Sequence, residues 1–264
     1  MISFTSAELN IWIASFIWPL TRILGLVSVA PLFGNVSVPA RVKIGLGLML
    51  ALIIAPTVPS LPATDPFSLP GVLILMQQLI IGLAMGFAMR IVFAAIELAG
   101  EISSMTMGLG FAVFYDPQTR GRSSAISQFV ALLTLMIYLA TNLHLVLLST
   151  LADTFSTLPI STAAVTDGGF QQLVIWAGRI FSAGIQLSLP IVAALLMTNM
   201  ALGILTRAAP QLNLFGIGFP ITIGIGFIML TLSLPYLTTP IVRVLYEGIE
   251  AMRQITITMI PKIR

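Results

Sequence analysis

The 264-residue chain contains no cysteine and a single histidine. Disulfides, thiol nucleophiles and thiolate metal sites are excluded, and a lone imidazole, His144, cannot assemble a zinc site, which takes several ligands. Charge is scarce too. Asp, Glu, Lys and Arg make up 8% of the sequence, against about 25% in a soluble domain. A fold of this size with so few charges lacks the polar surface to cover itself in water. With 58% of its residues hydrophobic, the chain is solvated mainly by lipid or by other apolar protein. A net charge of +3 does not imply nucleic acid, because the basic residues are scattered rather than gathered on one face. There is no GxxxxGK[ST] phosphate loop and no HExxH pair. Ser123 and Ser124 lie twenty residues from His144 with no nucleophile elbow between them, so a serine-protease arrangement has no support. No catalytic residue, cofactor site or metal site is expected.

What is present is a series of long uncharged runs. A spanning helix needs roughly 20 mainly apolar residues. On that measure about six spans are read, near 11–33, 44–59, 71–99, 125–151, 171–205 and 214–236. The N-terminal run lacks the positive region of a signal peptide, since its first charge is Glu8, and is read as a membrane segment. The second span is short and bounded by Pro56, Pro59 and Pro62, so it is read as pairing with the first in a hairpin. Pro190 and Pro220 are expected to interrupt the fifth and sixth. Loops holding Arg41 and Lys43, then Arg120 and Arg122, then Arg207 alternate with loops holding only Asp65, or Asp153 and Asp167. By the positive-inside rule this places the N-terminus outside and the basic loops in the cytoplasm. Residues 241–260 put Ile241, Val242, Leu245, Ile249 and Met252 at helical spacing with Arg243, Glu247, Glu250 and Arg253 on the polar side, which predicts an amphipathic helix that either crosses back within a complex or lies along its partners. The fold class is therefore all-α: membrane-associated helical hairpins with a re-entrant segment and an amphipathic C-terminal helix.

The re-entrant segment is 105–115, an uncharged stretch from Met105 to Tyr115 bounded by Glu101 and by Asp116-Pro117. It is too short to span and too apolar for a solvated loop, and Gly108 and Gly110 discourage a continuous helix. Irregular backbone at membrane depth survives only when enclosed by protein or lining a cavity. One reading is a plug, with Met105, Met107, Leu109, Phe111 and Phe114 as a soft apolar seal and the two glycines as hinges. The other is a buried loop that packs two hairpins together. Arg22, Arg90 and Arg179 lie within or near apolar spans. Snorkelling or a salt bridge is favoured over an ion pathway, because no acid sits deep in a span. Glu97 and Glu101 share a helical face and read as a solvated cap. Gly82 and Gly86 form a GxxxG that permits close helix contact, within the chain or between subunits.

The run Arg207-Ala208-Ala209-Pro210-Gln211-Leu212-Asn213-Leu214-Phe215-Gly216-Ile217-Gly218-Phe219-Pro220 resembles the cytoplasmic turn of the FliR/SctT family, export-gate subunits of type III secretion systems. Trp18-Pro19-Leu20-Thr21-Arg22 with Ala30-Pro31, the basic turn from Arg41 to Gly47, and Gln77-Gln78 followed by Gly82, Gly86 and Gly100-Glu101 resemble the same family. The likeness covers essentially the whole chain. It implies a non-enzymatic pore subunit of the flagellar basal body, in the bacterial inner membrane, that assembles with FliP, FliQ and FlhB homologues to export unfolded flagellar proteins. It further implies a FliP-like part over 1–200, with the plug at 105–122, and a FliQ-like hairpin and tail over 171–264. By the same likeness, Arg207, Pro210, Gln211, Phe219 and Pro220 shape the cytoplasmic turn, and hydrophobic runs are buried by partner subunits instead of lipid. The competing reading is a secondary transporter for a small solute, which broken helices would favour but for which paired buried charges are missing.

Overall fold

The computed structural model describes residues 6–59, 61–62, 64–111, 123–209 and 214–260. Among the described residues, eight α-helices follow one another: α1 Ser6–Val29, α2 Ala40–Ile54, α3 Leu69–Thr106, α4 Ala125–Ala140, α5 Leu143–Thr157, α6 Gly168–Ala177, α7 Arg179–Ala208 and α8 Leu214–Thr258. Short 3-10 turns occur at Ala55–Thr57 and Leu109–Phe111, and no strand occurs among the described residues. Among the described residues, five stretches are long and apolar enough to cross a membrane, or six with the broken pair α4–α5 counted as one. The all-α membrane architecture expected from composition is what the chain adopts.

By contacts the chain divides into two compact units. The first comprises Met1–Ile91, Asn142–Ala177 and Tyr246–Arg264; the second comprises Val92–Thr141 and Gly178–Leu245. These units interleave along the sequence.

In the first unit α1 and α3 meet with almost no side chain between them. A Cβ added to Gly25 would lie 2.8 Å from the Leu79 carbonyl oxygen, and one on Gly86 would lie 3.0 Å from that of Leu26. At Gly82 it would collide with the Arg22 carbonyl oxygen. Glycine permits this approach because in lipid the favourable term between helices is van der Waals contact rather than the hydrophobic effect. Gly82 and Gly86 thus serve close packing within the chain, the first of the two readings given for them. The expected hairpin of the first two spans is present: α2 packs on α1 through Gly47 against Leu24, and Lys43 Nζ donates to the Gly34 carbonyl.

Three further expectations are corrected. The fourth span is not one helix, because Asn142 takes a left-handed conformation, φ 57°, between α4 and α5, a backbone state that Asn tolerates better than most residues. Prolines do not interrupt the later spans: α7 runs through Pro190, and α8 runs through Pro220, Pro235 and Pro240. Each proline removes one ladder hydrogen bond, and within a bundle neighbouring groups can take up the freed carbonyl. Residues 241–260 are not a separate helix but the end of α8. Their predicted sidedness is real. Ile241, Leu245, Ile249, Met252 and Ile255 are buried while Arg243, Glu250 and Arg253 are exposed. In the first unit this end packs on the chain's own α6, where a Cβ on Gly169 would lie 2.9 Å from the Ile255 carbonyl oxygen, and Thr166 N donates to the Met259 carbonyl at 3.2 Å.

Candidate functional site

The second unit brings the end of α3 against the early turns of α8. The α3 helix stays regular through Thr106, and its last bonds are Met107 N to the Ser103 carbonyl and Gly108 N to the Met105 carbonyl, each 3.0 Å. The path then turns sharply, because Gly108 has φ +90°. An L side chain rarely adopts that value, so glycine at this position is a backbone requirement. The 3-10 turn Leu109–Phe111 follows.

Of the residues proposed to form a seal, Met107 is completely buried, Met105 is 63% exposed, and Gly108, Leu109 and Gly110 are half-buried. Met107 fills a notch that Gly226 leaves on α8: a Cβ there would lie 2.6 Å from the Met107 Cε and 2.8 Å from its Sδ. The Thr222 hydroxyl donates to the Met107 carbonyl at 3.2 Å. The Phe219 ring lies against Gly108, 2.9 Å from where a Cβ would sit. Phe114 lies outside the described residues.

Phe219 was grouped with the turn by its place in the sequence. It is a residue of α8 that reaches the re-entrant segment, about 8 Å along the axis from the start of the helix. Pro220 is also inside α8 and faces outward, Arg207 is exposed in the last turn of α7, and Pro210 and Gln211 lie outside the described residues. The arrangement therefore joins two motifs that are far apart in sequence, Met107-Gly108 and Phe219.

The other side of the segment is tied down as well. The Glu101 carboxylate accepts from Ser124 N at 3.0 Å, while Ser124 caps α4 by accepting from Ser127 N. The Ser127 hydroxyl donates to the Glu97 carbonyl at 2.7 Å. Glu101 is half-buried and bridges two helices, a correction to its reading as a solvated cap.

Arg22, in the first unit, neither snorkels nor meets a carboxylate among its hydrogen-bond partners. It is fully buried. Its Nε and Nη2 donate to Gln78 Oε1 at 2.8 and 2.5 Å, its Nη1 donates to the Thr154 carbonyl and hydroxyl at 3.0 and 3.2 Å, and its Nη2 also donates to the Leu158 carbonyl at 3.0 Å. All five N–H groups of the guanidinium are thereby used. The group also stacks 4.4 Å above the Phe155 ring. Thr154 and Leu158 carbonyls belong to the C-terminal end of α5, the negative end of its dipole, which supplies the compensating potential. Arg90, by contrast, lies on an exposed face. Among the described residues no three His, Cys, Asp or Glu side chains are placed to share a metal ion.

Sequence reasoning missed Thr222 and the role of Gln78. A Gln in an apolar span is itself a signal, since a buried amide demands a partner. Thr222 gave none, because threonine is common in apolar helices, whereas Gly226 is one of the small residues whose recurrence signals close packing.

The description "Bacterial export proteins, family 1" matches residues 13–248. The chain is similar to the flagellar biosynthetic protein FliR of Pectobacterium carotovorum subsp. carotovorum, 43% identical over 235 residues that cover 89% of this chain and 90% of that protein. It is 40% identical to the FliR of Escherichia coli (strain K12) over the full length of both, and 31% identical to that of Bacillus subtilis (strain 168) over 91% of this chain and 94% of the other.

Proposed function

The chain belongs to the bacterial export proteins, family 1, and on that premise we propose that it is a non-enzymatic pore and gate subunit of the flagellar type III export apparatus. It resides in the bacterial inner membrane at the flagellar basal body and assembles with FliP, FliQ and FlhB homologues into the conduit for unfolded flagellar proteins. The 105–115 segment closes that conduit at rest. Leu109, Phe111 and Phe114 provide the apolar contacts, and Gly108 and Gly110 the freedom to move aside.

The observation that carries this reading is the left-handed break at Gly108, which ends a 38-residue apolar helix in an uncharged, half-buried turn. Two more features support it. At about 1.5 Å per residue, α3 is about 57 Å long and α8 about 68 Å, well beyond a hydrocarbon core of about 30 Å. Apolar surface outside that thickness needs protein to cover it. On α7 and α8, Phe181, Met197, Met200, Ile204, Phe227 and Leu232 are exposed, more than a monomer in water sustains. Pro190 and Pro220 lie inside continuous helices, so they do not supply the broken helices that a small-solute transporter would use.

The test has two parts. Full-length chain purified in mild detergent should bring FliP- and FliQ-like partners with it. Deleting residues 109–115 should leave that assembly intact and make the reconstituted complex leak ions. An unchanged conductance after the deletion would refute the plug.

A further inference from the structure

Phe219, Thr222 and Gly226 are spaced i, i+3 and i+7, so they form one stripe along α8. Each meets a different part of the end of α3, within the second unit. Gly226 receives the Met107 side chain, Thr222 donates to the Met107 carbonyl, and the Phe219 ring closes over Gly108. The Met107 carbonyl lies just past Thr106, the last residue of α3, where no further turn of helix supplies an N–H. Thr222 is 7% exposed and Met107 is 0% exposed, so water does not substitute for this hydrogen bond. The single Thr222 hydroxyl proton is shared between the Met107 carbonyl and the Phe219 carbonyl of its own helix, the latter at 3.1 Å.

We propose that this stripe is a seat: Phe219, Thr222 and Gly226 are positioning residues that fix Met107 against α8, so that the sealing segment is anchored there and hinges at Gly108. The inference rests on the plug reading for its functional meaning, but the seat can be tested apart from it. Met107 is then an anchor and not part of the moving seal. The left-handed turn at Gly108, with Phe219 lying over it, sets the direction in which the following residues leave α3.

The experiment measures amide hydrogen exchange of residues 103–111, and ion leak, in the complex purified with the full-length chain. Thr222→Val removes the hydroxyl with little change of shape, and Gly226→Leu fills the Met107 notch. Thr222→Ser keeps the donor. Thr231→Val is the control, because the Thr231 hydroxyl bonds only within its own helix, to the Phe227 carbonyl at 2.8 Å. Thr222→Val and Gly226→Leu should each speed exchange of 103–111 by about fivefold to tenfold, the scale of one buried hydrogen bond, and should raise the leak, while Thr222→Ser and Thr231→Val stay at the wild-type level. Exchange at the wild-type rate in Thr222→Val overturns the seat, even if Gly226→Leu fails to assemble. Faster exchange without leak, in a complex where deletion of 109–115 does leak, overturns its part in sealing. If that deletion does not leak either, the plug reading fails, and the seat is judged by the exchange rates alone.

Discussion

Replacing Gln78 by leucine removes the acceptor for two of the five N–H groups of Arg22 and leaves the charge where it is. The guanidinium is fully buried, and the remaining acceptors, the Thr154 and Leu158 groups, already serve the other three. An unsatisfied buried donor costs about 1–3 kcal/mol, and more when charged. Removing one partner of a buried charge costs about 3–5 kcal/mol. Gln78→Leu should therefore lose about 3–5 kcal/mol. Adding Arg22→Met withdraws the orphaned charge and keeps much of the side-chain volume. What is then lost is the bonding to the Thr154 and Leu158 carbonyls, about 1–3 kcal/mol. The double variant is thus expected to be more stable than Gln78→Leu alone, although it carries one more change. Thermal unfolding of the full-length chain in mild detergent, followed by tryptophan fluorescence, reads the difference. At about 2–4 °C per kcal/mol for a chain near this size, Gln78→Leu should lower the midpoint by about 10 °C, and Arg22→Met should restore several degrees of it. Losses that simply add in the double variant would refute the coupling, and with it the claim that Gln78 is what makes a buried arginine tolerable here.

Other outcomes follow from the same physical reasoning. Gly82→Ala drives a methyl into the Arg22 backbone and should cost about 1–3 kcal/mol through forced separation of α1 and α3. Gly45→Ala, where a Cβ meets nothing within 4 Å, should be neutral or gain up to about 1 kcal/mol from helix propensity; equal midpoints for the two variants would disprove the close-packing argument. Trp176→Phe removes the bond from the indole Nε1 to the Ala88 carbonyl at 2.9 Å and should cost about 1 kcal/mol, seen as a small midpoint shift in the same melt.

The uncharged runs were legible because crossing length and hydropathy are local properties, and nearly every span corresponds to a helix. The sidedness of 241–260 was legible for the same reason: helical period alone places Ile241, Leu245, Ile249 and Met252 together. The glycines at 108 and 110 correctly marked a break, and only Gly108 carries the positive φ that demands glycine. The prolines misled, because the rule that they end helices is calibrated in water, where a freed carbonyl has no neighbouring helix to satisfy it. The break at Asn142 was hidden, because a polar residue near the end of an apolar run reads equally well as the edge of a span.

By itself, then, the sequence determined that this is an all-helical membrane protein, where its apolar runs lie, and that one short uncharged stretch cannot continue a helix. Tertiary structure alone decided who meets whom. Arg22 finds partners 56, 132 and 136 residues away, and Met107 meets Thr222 across 115. The reason is physical: helix formation depends on a residue and its neighbours within a turn or two, whereas the partner of a buried guanidinium or of a terminal carbonyl depends on which helix faces pack together, and small residues such as Gly82 and Gly226 reveal that choice only when another backbone or side chain is found in the space they leave.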